Sequence, residues 1–371
     1  MRLRSTALLL GLAACDESAS TPLEWIDAVV PTNDATPLPL DTSVTPDGPP
    51  TPPQDLGGPQ DARTDAADAA TPPPDAAAPV FPLEYPVPET CWDDLAPGTA
   101  VIFAEGFDAF AEGISFGPNG GLYVSVPGEN SVVRVMPDGT HMPFAEVPDA
   151  LGMAPLLDGR LVVAQIGASI VPEDIDGGVW LVDAAGLATS IATGIASPNF
   201  VVVLPNGDLL VSDDFDTRIW RVTLEGEVSV AIPDFPSPNG MALDPLKQRL
   251  YVVSTFSPDG DVAAYDLGPD ALPVVESRRT LHQLGPGRTL DGLAVDQYDQ
   301  LYVAANLRGQ ILRLKSDGTG MPIVVADDLI TPASLAFGRA PDFDPCSLYV
   351  TELRGTRLWR IAVGAEGATV P

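Results

Sequence analysis

Four of six equivalent positions in a repeated sequence carry side chains with oxygen donors. The six positions are Glu112, Leu151, Asn199, Asn239, Asp291 and approximately Ala333. Two carboxylates and two amides, without His or Cys, suit a hard divalent cation, and Ca²⁺ suits best because it accepts 6–8 oxygens with loose geometry. Mg²⁺ and Mn²⁺ are alternatives, whereas Zn²⁺ would normally recruit imidazole or thiolate. The pattern therefore predicts a metal site.

The same residue types have a second interpretation. Asn and Asp beside Gly are ordinary turn formers, and Asn239-Gly240 and Asp291-Gly292 fit that description. Recurrence at equivalent positions of four repeats favours the metal site, but both interpretations stay open at the level of sequence.

The repeats show the alternation of apolar and polar residues that is typical of antiparallel strands. Four copies are clear, at 121–139, 208–226, 300–318 and 347–364, and two are degenerate, at 160–186 and 249–267. Units of about forty residues with four short strands are typical of propeller blades. We therefore predict an all-β, six-bladed β-propeller over residues 91–371. The first strand of each unit would line the central channel and bring the six positions to one mouth.

The first fifteen residues predict export. Arg2 and Arg4 precede an apolar run that is too short to span a bilayer. The run ends in LAAC at 12–15, which resembles a bacterial lipobox cleaved just before a lipidated Cys15. An ordinary secretory signal is the alternative. We expect an exported protein, lipid-anchored to a bacterial membrane on its periplasmic or cell-surface side.

Residues 16–90 have a different composition, rich in Pro, Asp, Ala and Thr, with Arg63 as the one basic residue. Low hydrophobicity and charge of one sign predict a disordered linker, which would act as a tether. The formal charge of the whole chain is −32, which argues against nucleic acid and anionic lipid as partners. We expect membrane contact through the lipid anchor only, and a monomer.

The two ends of the repeated region are expected to meet. Residues 97–105 resemble 138–146, the fourth strand of the first unit, and the sixth unit runs out of chain after its third strand. The N-terminal segment would therefore complete the last blade and remove a free edge. With Cys15 lipidated, Cys91 and Cys346 are an even pair in an exported protein, which predicts one disulfide at this seam. Two free thiols are the alternative.

The repeats resemble the regucalcin and gluconolactonase family and, more distantly, the paraoxonases, over about residues 98–363. The motifs that carry the resemblance are EGISF (112–116), SPNFVVVLPNGDLLVSD (197–213), SPNGMALDP (237–245) and LDGLAVD (290–296). In that family a first-blade Glu, third- and fourth-blade Asn residues and a fifth-blade Asp hold a catalytic divalent ion. Glu112, Asn199, Asn239 and Asp291 match these residues. The resemblance implies hydrolysis of a small lactone or ester, with Asp291 both as a metal ligand and as a general base.

The chain also departs from the family. Sugar-lactone members commonly carry Arg two residues before the third-blade Asn, where this chain has Ser197, and this argues against a polar sugar lactone. The paired histidines of paraoxonases have no counterpart, because His141 and His282 are expected on outer strands as structural or surface residues.

Loops after the second strands should rim the same mouth. Their polar residues are Asp213, Asp214, Asn306 and, in the loop 167–178, Glu173, Asp174 and Asp176. We interpret the acidic members as solvated surface residues. The alternative is that the loop 167–178 caps the site.

Two functions compete. The first is a metal-dependent hydrolase of lactones or related esters, displayed outside the cytoplasm. The second is a non-catalytic propeller that binds a ligand or a protein, since fold alone does not choose between them.

Overall fold

The computed structural model describes residues 82–117, 119–167, 176–244 and 246–368. Six four-stranded antiparallel sheets form the blades, which confirms the predicted six-bladed β-propeller. Cys15, the signal sequence and the linker before residue 82 lie outside the described residues, as do Glu173 and Asp174.

Among the described residues, β2 to β24 follow the chain blade by blade, and each blade begins at the channel and runs outward. The first strand of the chain, β1, is the outermost strand of the sixth blade. The first blade has β2 (Ile114–Phe116), β3 (Leu122–Val126), β4 (Ser131–Val135) and β5 (His141–Glu146). The second has β6 (Ala150–Pro155), β7 (Leu161–Gln165), β8 (Gly177–Val182) and β9 (Ala188–Ile195). The third has β10 (Pro198–Val203), β11 (Leu209–Asp213), β12 (Ile219–Val222) and β13 (Val228–Ile232).

The fourth blade has β14 (Pro238–Asp244), β15 (Arg249–Ser254), β16 (Asp261–Asp266) and β17 (Arg279–Gln283). The fifth has β18 (Leu290–Val295), β19 (Gln300–Ala305), β20 (Gln310–Lys315) and β21 (Ile323–Ala326). The sixth has β22 (Pro332–Phe337), β23 (Ser347–Glu352), β24 (Arg357–Ala362) and, outermost, β1 (Ala100–Glu105).

The second strand of each blade is buried on both faces because each sheet is covered by its two neighbours. Every residue of β3, β7, β11, β19 and β23 is buried. The outermost strands contain exposed residues as well as buried ones, as β5 and β13 show. Apolar clusters span adjacent blades; one joins Leu210 and Ile219 to Met241 and Tyr265. Blade-to-blade burial of apolar surface therefore holds the ring together.

The ring closes as the sequence predicted. β1 pairs with β24, with Ala100 opposite Ile361, so the last blade has no vacant outer position. The Cys91–Cys346 disulfide is present at this seam. Next to it, both guanidinium nitrogens of Arg360 donate to Asp94, at 2.7 and 2.8 Å.

The segment 82–99 packs against one end of the propeller. Tyr85 stacks on Tyr298 with 4.2 Å between ring centroids, and Arg313 donates to the Pro82 carbonyl at 2.8 Å. Tyr298 lies between β18 and β19, so this end is the one where the first strands finish; we call it the far end. Residues 82–90, assigned from sequence to the linker, thus make specific contacts with the propeller.

Within the described ranges, no helix is long and apolar enough to cross a bilayer.

Candidate metal centre

The six equivalent positions form a ring at the end of the propeller where the first strands begin, which we call the mouth. A Cβ atom on Gly113 would lie 2.1 Å from the carbonyl oxygen of Leu151 in the next blade. A Cβ atom on Gly240 would lie 2.1 Å from the carbonyl oxygen of Asp291. Only glycine fits contacts this close. Gly113 and Gly240 therefore allow the residues before them, Glu112 and Asn239, to lie against the next blade.

This geometry excludes the turn interpretation of the Asn-Gly and Asp-Gly pairs. Asn239 lies inside β14 and Asp291 inside β18, so neither is a turn residue. Their glycines serve the close approach of neighbouring blades, and the turn interpretation is wrong.

The donors occupy irregular positions in their strands. Asn199, Asn239 and Asp291 are each the second residue of a first strand, and the pairing register shifts there in all three blades. Bulges of this kind re-aim side chains beside active sites. Glu112 lies two residues before β2, and its backbone N–H donates to the Ser125 carbonyl at 3.1 Å.

The four predicted residues are buried near one another and share polar partners. Asn199 donates through Nδ2 to Asp214 at 3.3 Å, and Asn239 hydrogen-bonds Asp291. The exposed fractions of Glu112, Asn199, Asn239 and Asp291 are 5%, 6%, 2% and 5%. The amide donors of Asn199 and Asn239 thus face carboxylates, which leaves their carbonyl oxygens pointing elsewhere.

Three buried oxygens of the ring residues receive no hydrogen bond from any described residue: Glu112 Oε2, Asn199 Oδ1 and Asn239 Oδ1. The hydroxyl of Ser197, directly before β10, also has no partner among the described residues. A buried acceptor without a donor typically costs about 1–3 kcal/mol, and native proteins rarely leave several together. A cation would satisfy all three, because carboxylate and amide oxygens are the ligands that calcium prefers.

The electrostatics of the mouth point the same way. Burial, together with the negative charges of Asp291 and Asp214, raises the pKa of Glu112 well above its ordinary value. Burial also raises the pKa of Asp214 well above its ordinary value and that of Asp291 to about 7. Three carboxyl groups held together without a cation resist ionisation, whereas a divalent cation would relieve the repulsion.

Carboxylates alone do not make this site. No group of three or more Asp, Glu, His or Cys side chains among the described residues is arranged to hold a metal ion. The amide oxygens of Asn199 and Asn239, which have no hydrogen-bond partner among the described residues, could complete a ligand set with the carboxylates.

The structure corrects our interpretation of Asp213, the last residue of β11, and of Asp214, which follows it. Asp213 and Asp214 are 0% and 5% exposed, so neither is a solvated surface residue. Asp213 accepts hydrogen bonds from the Ser197 backbone N–H at 3.2 Å and from Trp220 Nε1 at 3.1 Å. It holds the start of β10, while Asp214 contacts the ring through Asn199. Asp176, from the other acidic loop, is exposed.

Three residues at one further repeat position complete the mouth: Asp214, Thr255 and Asn306, each directly after a second strand. Asn306 donates through Nδ2 to Asp291 Oδ2 at 3.2 Å, and Thr255 Oγ1 donates to the carbonyl of Leu290, directly before Asp291, at 2.6 Å. Sequence reasoning named Asp214 and Asn306 only as weak candidates and missed Thr255. Their equivalence in three consecutive repeats was the signal that would have found them.

The histidines lie away from the mouth, as predicted. His141 is in β5, stacked on Phe107, and His282 is in β17, with Nε2 2.8 Å from the Lys315 carbonyl.

Part of the propeller is similar in sequence to a known family. Residues 211–354 match the family model described as SMP-30/Gluconolactonase/LRE-like region, and this confirms the resemblance predicted from the motifs. A search of curated proteins found no match.

Solved structures show the same fold. A gluconolactonase from Xanthomonas campestris is 20% identical, covering 71% of this chain and 89% of that one, with a TM-score of 0.57. A regucalcin from Agrobacterium tumefaciens, described as a calcium-binding protein, is 17% identical over 73% and 95%, with a TM-score of 0.58. A luciferin-regenerating enzyme is 18% identical over 73% and 99%, with a TM-score of 0.60. At these identities the likeness establishes the propeller, not the reaction.

Proposed function

We propose that this protein is a divalent-metal-dependent hydrolase of lactones or related esters. Glu112, Asn199, Asn239 and Asp291 would hold the ion. Hard oxygen donors disfavour Zn²⁺, and Ca²⁺ is favoured over Mg²⁺ and Mn²⁺ because it accepts more ligands in looser geometry. The observation that carries the proposal is the set of three buried oxygens without hydrogen-bond donors. The gluconolactonase and regucalcin among the similar structures support the same assignment.

The protein residues have separate tasks in this reaction. A bound divalent cation supplies Lewis-acid polarisation of a carbonyl and a lower pKa for water. Asp291 would take a proton from the attacking water, and Asn306, which donates to Asp291 Oδ2, orients that carboxylate. Asp214 fixes the Asn199 amide so that its oxygen stays available.

The second candidate, a non-catalytic ligand-binding propeller, is favoured by one observation. Ser197, where sugar-lactone members of the family carry Arg, is fully buried and cannot grip a substrate. A panel of substrates must therefore include lactones other than sugar lactones.

Metal binding is tested first, by thermal unfolding. Millimolar Ca²⁺ should raise the melting temperature of the wild-type protein, since a ligand of the native state stabilises it by mass action. Asn239→Ala should abolish the increase. Asn206→Ala is the matched control, because Asn206 is exposed in the same propeller and lies at the far end, between β10 and β11. Equal increases in all three proteins would remove the metal site.

Hydrolysis is tested second, with a panel of lactones and aryl esters in the presence of Ca²⁺, Mg²⁺, Mn²⁺ or Zn²⁺. We expect turnover that chelation abolishes and Asp291→Ala eliminates with the fold retained. Metal-dependent stabilisation without any turnover would favour the non-catalytic binder.

Export and lipid anchoring are part of the proposal and rest on residues 1–15. Metabolic labelling with a fatty acid should mark the wild-type chain and not Cys15→Ser, with both chains found outside the cytoplasm. Labelling of both would eliminate Cys15 as the lipidated residue.

A further inference from the structure

Apolar side chains follow the polar mouth residues in three consecutive blades. Phe215 comes directly after Asp214, Phe256 after Thr255, and Leu307 after Asn306. We call Phe215, Phe256 and Leu307 the apolar rim. Since the polar residue of each pair reaches the ring, the residue after it lies one step farther out, at the entrance.

The apolar rim is accessible and partly preassembled. Phe256 and Leu307 are 40% and 43% exposed, and Phe215 is half-buried. The rings of Phe215 and Phe256 stack across two blades with centroids 5.1 Å apart. Three apolar side chains at equivalent positions of consecutive blades, beside the polar residues of the mouth, offer a surface for an apolar part of a ligand.

Hydrogen bonds connect this rim to the candidate metal centre. Ser237 Oγ donates to the Asp214 carbonyl at 2.7 Å and accepts from the Phe256 backbone N–H at 3.0 Å. The Leu307 backbone N–H donates to Thr289 Oγ1 at 3.1 Å; Thr289 is two residues before Asp291. The rim is therefore fixed to the segments that carry the donors.

Polar substrates would find a poor match at this entrance. The hydroxyl groups of a sugar ring need hydrogen-bond partners when they leave water, and the apolar rim offers hydrocarbon instead. An alkyl or aryl substituent, by contrast, gains by leaving water there.

From this arrangement we propose, resting on the function proposed above, that the substrates are lactones or esters with an alkyl or aryl substituent. The carbonyl would enter the polar ring, and the substituent would lie on Phe215, Phe256 and Leu307. In hydrolysis, the oxygen of water bonds to the carbonyl carbon, and the ring C–O bond breaks. One water proton passes to the released alkoxide, and the product is a hydroxy acid.

The experiment measures kcat/KM at saturating Ca²⁺ for γ-lactones whose side chains have one to seven carbons. Burial of a methylene contributes about 0.8 kcal/mol, or about fourfold. On a half-open rim we therefore expect about two- to fourfold per carbon over the first carbons. Phe256→Ser and Leu307→Ser should each flatten this dependence on chain length. Leu246→Ser is the matched control, since Leu246 is 90% exposed and follows β14 at the far end of the blade that carries Phe256.

A second readout does not require turnover. Calorimetry would measure binding of 2-alkylcyclopentanones, which have a ring carbonyl but no ester bond to cleave. Affinity should rise with alkyl length in the wild type and in Leu246→Ser, and less in Phe256→Ser.

The outcomes separate the two proposals. Turnover that is independent of chain length and unchanged by Phe256→Ser would overturn the apolar substrate class and leave the hydrolase intact. Ketone binding that depends on Phe256, without turnover of any lactone, would overturn the hydrolase and support the rim as the binding surface of a non-catalytic propeller. Neither binding nor turnover would overturn both.

Discussion

Replacing Asp291 with Asn should make the metal-free protein more stable while it destroys the metal site. Asp291 is buried, and burial raises the pKa of its carboxyl group to about 7. Below its ordinary pKa of 3.8 the group is protonated in both folded and unfolded chains. As pH rises towards 7, the unfolded chain gains an ionised carboxylate in water while the folded chain resists ionisation, so stability is lost over this interval.

The size of the effect follows from that pKa. Raising it from 3.8 to about 7 corresponds to at most about 4 kcal/mol of lost stability at pH 8. Asn carries no charge, and its amide oxygen can still accept from Asn306. With about 2 °C per kcal/mol for a domain of this size, we expect Asp291→Asn to melt several degrees higher at pH 8 in chelator.

The assay is thermal unfolding at pH 4 and pH 8, with EDTA and with Ca²⁺. Asp296→Asn is the control, because Asp296 is also buried, follows the other end of β18, and has a pKa raised by burial to about 6. Both variants should gain stability at pH 8 in EDTA and little at pH 4. Only Asp291→Asn should lose the response to Ca²⁺. A lower melting temperature for Asp291→Asn in EDTA at pH 8, or an undiminished response to Ca²⁺, would refute the reasoning.

Three further predictions concern the same architecture. Gly240→Ala should lower the melting temperature and abolish the response to Ca²⁺ in thermal unfolding, because its Cβ would lie 2.1 Å from the Asp291 carbonyl oxygen; an unchanged response would contradict the tight ring. Arg360→Met should cost about 3–5 kcal/mol in urea unfolding, since it leaves the Asp344 carboxylate, 2% exposed and 2.8 Å from Arg360, without its cation; a loss below 1 kcal/mol would show that the pair is dispensable. Calcium affinity should increase from pH 6 to pH 8 as Asp291 loses its proton. Calorimetry in buffers of different ionisation enthalpy should detect the proton that calcium binding releases. Equal binding heats in all buffers would contradict this proton release.

Sequence repeats were sufficient to predict the blades and the ring. Alternation sets which face of a strand is buried, and aligning the second strands places Asn199, Asn239 and Asp291 at equivalent positions. The closure of the propeller ring could also be predicted, since β1 resembles a fourth strand and Cys91 and Cys346 flank the same seam.

The burial of Asp213 and Asp214 could not be predicted from the sequence. Asp213 and Asp214 have the composition of a solvated turn, yet Trp220 and Asn199 from neighbouring strands remove them from water. Such contacts depend on tertiary packing, which overrides the local polarity of the sequence. The contacts of residues 82–90 were missed for a similar reason, because a single stacked ring such as Tyr85 on Tyr298 leaves no periodic signal.

Both ends of the described chain lie at the far end of the propeller. Pro82 meets Arg313 there, and Gly367 bridges Asp296, just after β18. Any fusion partner or solid support joined before Pro82 or after residue 368 is therefore attached on the side away from the mouth. A protein truncated to residues 82–368 and immobilised at either of these two residues should present its entrance to the solution, and its accessibility to substrate should not depend on which of the two is used.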